Sequence, residues 1–553
     1  MTIHIITTGI SALFLVLSFP TVLAGWEIPH SPLFVWIAFV PFLLATREAS
    51  LRRIWFLSFL LFSLFFACQL ATIETAIRVF GHFSFVTSLT LTSLLIFALS
   101  LYMAFLPWLS YFLSRKQGEF IIWFPVCYVS FEFFRTYIFP FGGFPWGELS
   151  VSQAHWLLPL QIVDVMGSLG LTFLIVWTNV FITEVVCHSR PGLRHAGINS
   201  GGDLMRFPFK ACGNDDRRTT FFLQKCAVTL LLFLFCFGYG HLKIRSMEKI
   251  VQHASKLRVA LLQGNLSPKT SSTLKNSMDR LQVYTTEAAK VFSSKVDLIV
   301  WPEGAYSFLI PLKKPVLYND ALGGKPLDVS QRLPLSLVGA VTKASEHSYY
   351  NSALLYDARG QYLSSYHKTH LVPFGEYIPY RSLFPFLTAV TRPIGILLPG
   401  EEIRPLVVDR LSIGPLICIE DLYASLSRAH VQNGANLLVN ITNDGWYGLS
   451  PIPKQHLLSS VVRAVETRRS VLRAANTGVT ALIDPVGRVL QQSPLNETLV
   501  IVGEVPLLTS LSTYVTLGDW FAWGCVLYLL FGIVFLLKMR WKDRSSGFSP
   551  TRE

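Results

Sequence analysis

Charge is what this sequence has least of. Asp, Glu, Lys and Arg make up 15% of its 553 residues, against about 25% in an ordinary soluble protein. Apolar residues reach 51% and aromatics 13%, which excludes a chain that is soluble throughout. No glycine-rich phosphate loop occurs, so nucleotide chemistry built on one is set aside. No internal repeat occurs, which excludes a solenoid. The 13 His have no metal-ligand spacing, so no metal and no other cofactor is expected. A net charge of +13 raises nucleic acid as a partner. The basic residues cluster beside apolar spans, however, where the positive-inside rule accounts for them, and no nucleic-acid partner is expected.

What is present in quantity is apolar sequence in long runs. Seven spans precede residue 241 and one lies near the C-terminus, each near the ~20 residues a bilayer requires. They cover 5–24, 32–45, 54–71, 85–112, 120–134, 169–187, 220–239 and 517–537. Residues 21–24 resemble a signal-peptide cleavage site. The positive n-region of such peptides is missing and further spans follow at once, so an uncleaved first helix is expected.

The loops orient these spans. Arg47, Arg52 and Arg53 follow the second, Arg115 and Lys116 the fourth. Arg190, Arg194, Arg206, Lys210, Arg217 and Arg218 follow the sixth, and Lys538, Arg540, Lys542 and Arg544 the last. The alternate loops carry Arg78 and Arg135 as exceptions. This asymmetry places both termini in the cytoplasm and the insertion at 241–516 on the far face. The expected domains are 1–240, with seven membrane helices; 241–516, extracytoplasmic; and 517–553, the last helix and a basic tail. Of the eight Cys only Cys418 falls in 241–516. A single thiol in an oxidising compartment has no disulfide partner there and is a liability unless it works.

The insertion reads as α/β. Apolar strands are expected at 257–262, 297–301, 336–341, 411–417 and 435–441, hairpins at 351–367 and 479–492, and a closing strand at 499–505. Helices are expected at 422–431 and 455–475. Alternating strands and helices with hairpins between them imply a layered sandwich of sheets and helices. Arg463, Arg468, Arg469 and Arg473 are expected on a solvated helix face.

Three polar residues stand at strand ends or in the loops after them: Glu303, Lys368 and Cys418. Each type has a task in acyl transfer through a thioester. A thiol needs a base beside it, because little thiolate exists at neutral pH. Glu303, beside Trp301 and Pro302, can supply the base, with desolvation raising its pKa. Lys368 can face a developing oxyanion, and Glu376 can orient Lys368. An elbow between strand and helix would lift Cys418 towards a helix N-terminus, which favours thiolate. Each residue also has an ordinary alternative: a buried core cysteine, a surface carboxylate, a surface amine, a turn residue.

Trp301-Pro-Glu303, Tyr366-His-Lys-Thr-His-Leu-Val-Pro-Phe-Gly-Glu376 and Cys418-Ile-Glu420 resemble the Glu–Lys–Cys set of the nitrilase superfamily. With membrane spans on both sides, the chain resembles the apolipoprotein N-acyltransferase family over nearly its whole length. Asn443-Asp-Gly-Trp-Tyr-Gly448, Asn476-Thr-Gly-Val-Thr480 and Gly143-Phe-Pro-Trp146 carry the same resemblance. It implies a multi-pass helical membrane domain of about eight helices joined to an α-β-β-α sandwich. It implies that Cys418 takes an acyl chain from a phospholipid and passes it to the α-amine of a diacylglyceryl-cysteine at an apolipoprotein N-terminus. Glu303 would be the proton acceptor, Lys368 the oxyanion partner and Glu376 a support; Trp146, Glu420 and Trp446 would meet substrate. It further implies a monomer in the bacterial inner membrane with its catalytic domain in the periplasm. The chain departs from the family in Ile419, where Tyr is usual, and in lacking a Trp within 267–275.

Residues 380–398 include Leu383, Phe384, Pro385, Phe386 and Leu387, too apolar for a solvated loop and too interrupted for a core helix. An apolar arm that meets lipid is expected here, with Phe384, Phe386 and Leu387 as contacts; a segment buried under the sheet is the alternative. Two other functions use the same residues differently: a membrane-tethered amidase, and a lipid-binding scaffold without catalysis. Glu303, Lys368 and Cys418 together argue against the scaffold.

Overall fold

Long runs of Leu, Phe and Val leave a backbone in lipid one way to satisfy its own hydrogen bonds within a segment, the α-helix. The computed structural model describes residues 1–23, 26–80, 83–117, 119–138, 142–188, 216–267, 274–312, 334–373, 375–377, 396–448 and 450–545. Among the described residues five helices are long and apolar enough to cross a membrane, with spans at Leu51–Leu70, Phe85–Ser114, Val163–His188, Thr220–His253 and Trp520–Met539. The first expected span is a 16-residue helix, Thr2–Leu17. The fifth is the 18-residue helix Phe120–Tyr137. The second is not one helix. It breaks into a 3-10 turn, Phe34–Trp36, and a short helix, Val40–Thr46, with Pro41 in its first turn. Val35, Phe39 and Phe42 are fully buried, so this piece fills the bundle interior.

Helix Asp216–His253 has 38 residues, about 57 Å at 1.5 Å per residue, well beyond a ~30 Å hydrocarbon core. It passes residue 240 without interruption and hands the chain to strand Lys256–Gln263.

The expected α/β insertion is a sandwich of two sheets. In the first, the order is Leu499–Pro506, Lys256–Gln263, Leu298–Pro311, Leu335–Lys343, Ser348–Tyr356, Tyr362–His367, with Ile396–Leu397 beside Ser348–Tyr356. In the second it is Val489–Gln492, Ala481–Ile483, Val471–Ala475, Leu437–Thr442, Leu411–Ile417, Leu406–Val408. The side-chain period of two along each strand divides the apolar residues between the faces. Val259, Leu261, Val300 and Leu355 of the first sheet meet Ile413, Val439, Ile441 and Leu472 of the second. Helix Leu274–Ala289 covers the outer face of the first sheet through Tyr284 and Ala288. Helices Ala424–Gln432 and Ile452–Thr467 cover the other outer face.

Two expectations fail here for one reason. The helix expected to run to 475 stops at Thr467, Arg468 takes a left-handed φ of 53°, and Val471–Ala475 is a central strand. The four arginines expected in solvent are buried, at 1%, 2%, 1% and 0% exposure for Arg463, Arg468, Arg469 and Arg473. Helix Ile452–Thr467, which carries Arg463, lies between the second sheet and the membrane domain; Arg468 and Arg469 fall in the turn after it and Arg473 on the central strand, so none of the four reaches solvent. Each guanidinium has a fixed partner instead. Arg468 Nε donates to Asp164 Oδ2 at 2.9 Å and Nη1 to Gln161 Oε1 at 2.7 Å, both on the membrane domain. Arg463 pairs with Glu466 at 2.9 Å, and Arg469 donates to the Ala435 carbonyl at 2.7 Å.

Candidate active site

Strand Leu411–Ile417 runs parallel to Leu437–Thr442, and the pairing ends at Ile417↔Ile441. The next residue, Cys418, has φ +56°, a conformation that non-glycine residues adopt rarely and that concentrates at functional sites. A 3-10 turn, Cys418–Leu422, follows. The side chain is thereby turned out of the strand, and the residue is buried, at 7% exposure.

Glu303 lies inside strand Leu298–Pro311 rather than beyond its end. The pairing with Leu335–Lys343 shifts register between Trp301 and Tyr306, and Gly304 has φ +62°. The neighbouring strand must come very close at this bulge: a Cβ on Gly339 would stand 2.2 Å from the Pro302 carbonyl oxygen. Asn351 Nδ2 donates to Glu303 Oε1 at 2.7 Å. Glu303 Oε2 is buried and has no hydrogen-bond partner among the described residues.

Lys368 follows strand Tyr362–His367 and is 1% exposed. Its Nζ donates to Glu376 Oε1 at 2.9 Å, and Glu376 Oε2 accepts from the Val372 backbone N–H at 2.7 Å. Asn351 Nδ2 also lies 3.3 Å from Glu376 Oε1, so one amide touches both carboxylates.

The electrostatics assign protonation states. Burial pulls the Lys368 pKa down, but Glu376, Cys418 and Glu303 more than offset it, and the ammonium persists well above the usual lysine range. Burial, then the Glu303 charge, pushes the Cys418 thiol well up, with Lys368 opposing. Cys418 therefore rests as a thiol, against the expected thiolate at a helix N-terminus. The turn after it is a single 3-10 turn, and desolvation outweighs what its dipole supplies. Burial raises Glu303 as well, Lys368 lowers it and Glu376 raises it again, with a net shift above the ordinary 4.5. A raised carboxylate is the stronger base, and its unpartnered oxygen is free to accept a proton. Only the deprotonated form serves, so acylation of Cys418 should weaken as pH falls through the Glu303 pKa. The acid limb of a single-turnover pH profile should have its midpoint above 4.5; a rate still flat below that value removes Glu303 as the base.

Glu420, expected at the substrate, is 0% exposed. Its Oε1 accepts from Tyr366 OH at 2.9 Å, Thr369 N at 2.8 Å, Thr369 Oγ1 at 2.9 Å and His370 N at 3.1 Å. Its Oε2 accepts from Ile417 N at 2.7 Å. Glu420 thus clamps the Lys368 loop to the Cys418 elbow, with no oxygen left for substrate. Trp146 is also spent on structure: Nε1 donates to Gln455 Oε1 at 2.7 Å and the ring lies 6.2 Å from that of His456. Trp446 is half-buried on the 3-10 turn Asp444–Tyr447. Phe384, Phe386 and Leu387, with most of the expected arm, lie outside the described residues.

Sequence reading missed Asn351, which looks like one more residue of a hairpin strand. It missed Tyr423, whose OH donates to the Gly143 carbonyl at 3.1 Å and whose ring meets His370 at 3.8 Å. Through Tyr423 the membrane-domain loop touches both sides of the candidate site.

Two family models match the chain: the apolipoprotein N-acyltransferase N-terminal domain over residues 11–181 and the carbon-nitrogen hydrolase domain over residues 258–512. An apolipoprotein N-acyltransferase of Geobacter metallireducens is 32% identical over 521 residues, covering 94% of this chain and 92% of that protein. One from Chlorobaculum tepidum is 27% identical over 544 residues, covering 92% of each. Among solved structures, Saccharomyces cerevisiae Nit3 of the nitrilase superfamily aligns with 45% of this chain and 90% of its own, at 19% identity and a TM-score of 0.35. With an identity above 30% sustained across nearly the full length of both proteins, and with models matching on both sides of the junction between membrane helices and sandwich, the chain belongs to the apolipoprotein N-acyltransferase family.

Proposed function

We propose that this bacterial membrane protein N-acylates lipoproteins, taking the acyl chain from a phospholipid and holding it as a thioester on Cys418. The observation that carries the reading is a buried thiol at a strained elbow beside a buried carboxylate and a buried ammonium, on a domain rooted in apolar helices.

Glu303 Oε2 takes the thiol proton, and the sulfur attacks the phospholipid ester carbonyl. The Lys368 ammonium faces the oxyanion, which costs no reorganisation because Glu376 already holds Lys368 in place. The ester C–O bond breaks, and the lysophospholipid oxygen leaves with the proton from Glu303. The α-amine of a diacylglyceryl-cysteine then attacks the thioester and gives its proton to Glu303. The C–S bond breaks, an amide forms, and the thiol recovers its proton. A membrane-tethered amidase would use the same three groups with water as second nucleophile; family membership favours the amine. Purified protein supplied with a defined phospholipid and a diacylglyceryl peptide should release lysophospholipid and yield an amide-linked acyl peptide. Free fatty acid without the amide overturns the transferase.

The Lys/Arg asymmetry supports an inner-membrane protein with both termini cytoplasmic and the sandwich periplasmic. A reporter active only outside the cytoplasm should work when fused after Ser255 and fail after Trp541. The reverse pattern at either point rules out this orientation.

A further inference from the structure

Four buried ionisable side chains gather beyond the elbow and have no part in the steps above. Asp421, Asp444, His456 and Arg473 are each at most 1% exposed. They come from four elements: the turns Cys418–Leu422 and Asp444–Tyr447, helix Ile452–Thr467 and strand Val471–Ala475. His456 joins the two turns, with Nε2 2.7 Å from Asp421 Oδ1 and Nδ1 3.0 Å from Asp444 Oδ1. Arg473 spans the same carboxylates, Nη1 3.2 Å from Asp421 Oδ2 and Nη2 2.8 Å from Asp444 Oδ2. Arg473 Nη1 also donates to Asn440 Oδ1 at 2.8 Å, and Asn440 Nδ2 donates to the Cys418 carbonyl at 2.9 Å. Ser460 donates to Asp421. Gly478 closes the far side: a Cβ there would stand 2.5 Å from Asp444 Oδ2.

The proton inventory of this cluster is decided by its carboxylates. His456 Nδ1 has an acceptor, Asp444, at 3.0 Å and a donor, Arg473 Nη2, at 2.8 Å. Burial and Arg473 push the imidazole down, yet Asp421 and Asp444 outweigh them and raise it to about 9. The flanking carboxylates favour the imidazolium, which donates to both aspartates. Two negative and two positive charges cancel.

Such a cluster contributes little to stability, since apolar side chains of the same volume fill a core at least as well. What it supplies is geometry. Asp421 is three residues beyond Cys418, and Asp444 begins the turn that carries Trp446 and Tyr447. Tyr447 is near enough to the site that, after burial, the Cys418 charge is the next cause raising its phenol pKa. The residue before His456, Gln455, takes Trp146 of the membrane domain on one amide atom and donates to Gln69 at 2.7 Å from the other. One helical turn thus holds the elbow, the 444–447 turn and the membrane loop together.

We propose that His456 is a positioning residue for Cys418: by bridging Asp421 and Asp444 it locks the elbow to the 444–447 turn and aims the thiol at the acyl donor. The proposal rests on Cys418 being the nucleophile, and the test separates the two. Purified full-length protein is acylated by a defined phospholipid in a single turnover, and mass spectrometry follows the rate constant and the final acylated fraction of Cys418. Wild type comes first; no acyl group on its Cys418 removes the nucleophile and this proposal with it. Given wild-type acylation, His456→Gln should lower the rate constant on the order of 10²-fold, the effect of a misplacement near 1 Å, with the final fraction near that of wild type. A purely structural role gives the reverse split, a smaller fraction reacting at the wild-type rate constant, and overturns the proposal. A lone substitution leaves the aspartates short of positive charge, so the balanced variant His456→Gln/Asp421→Asn is measured beside it. The same slow rate constant at an unshifted melting temperature supports positioning; the wild-type rate constant overturns it.

Discussion

Replacing Cys418 with Ala leaves a folded protein that forms no acyl-enzyme. Among the described residues no group nearby can take over: Glu303 and Lys368 are held by Asn351 and Glu376, and Cys68, Cys127, Cys187, Cys226, Cys236 and Cys525 all lie in helices of the membrane domain or at their ends. Loss of a nucleophile that works as a unit with its base costs on the order of 10⁶-fold, so lysophospholipid release should fall to background. Cys418→Ser should be nearly as poor, because a hydroxyl is a far weaker acid than a thiol and Glu303 is matched to the thiol. The substitution removes a side chain of small volume, so the melting temperature should stay close to that of wild type. Acyl adduct mass on the Cys418→Ala protein would sink the assignment.

The next largest effects belong to Lys368 and Glu303. Lys368→Ala removes the charge that faces the oxyanion, and such donors account for about 10²–10³ in rate. It has a second consequence that a general loss of structure would not produce. Lys368 is the largest influence lowering the Glu303 pKa, so without it the acid limb should move to higher pH. Lys368→Arg should recover little, because a planar guanidinium does not fit where an ammonium is 1% exposed and aligned on Glu376. Glu303→Gln keeps the shape and the Asn351 contact but cannot take a proton, and acylation should fall by about 10²–10⁴. Single-turnover acylation across pH checks both: wild-type rates in Lys368→Ala, or an acid limb that does not move, remove the oxyanion role.

The arginines show where sequence reading stops. Periodicity assigns a helix one buried face and one wet face, and it places Arg463, Arg468, Arg469 and Arg473 on the wet one; only Arg463 lies on the helix that forms. Helix Ile452–Thr467 has protein on both sides, which no local pattern reveals. Arg468 finds Asp164 across 304 positions of chain. The same blindness applied to Glu420. The family resemblance implies a substrate contact there, whereas the fold brings Tyr366, Thr369 and His370 onto it. The thiol pKa went the other way from expectation, because a helix-terminus argument counts a local dipole and burial is a property of the whole domain.

The sequence by itself determined the class of the molecule. Scarce charge and long apolar runs demanded helices in lipid, and alternating apolar strands from 257 to 505 demanded a layered α/β domain. It also offered Glu303, Lys368, Glu376 and Cys418 as candidates, through the motifs that resemble the nitrilase superfamily and the chemistry of carboxylate, amine and thiol. Only the tertiary structure decided how those groups are charged and aimed. Desolvation raises Cys418 and Glu303 together, Glu376 keeps Lys368 cationic, and Asn351 sets one amide between two carboxylates. The fold alone decided that the elbow is held from behind by His456 and from the membrane side by Tyr423 and Gly143. Each of these depends on distances between residues far apart in the chain, and burial and Coulomb energies in a dry site are set by those distances.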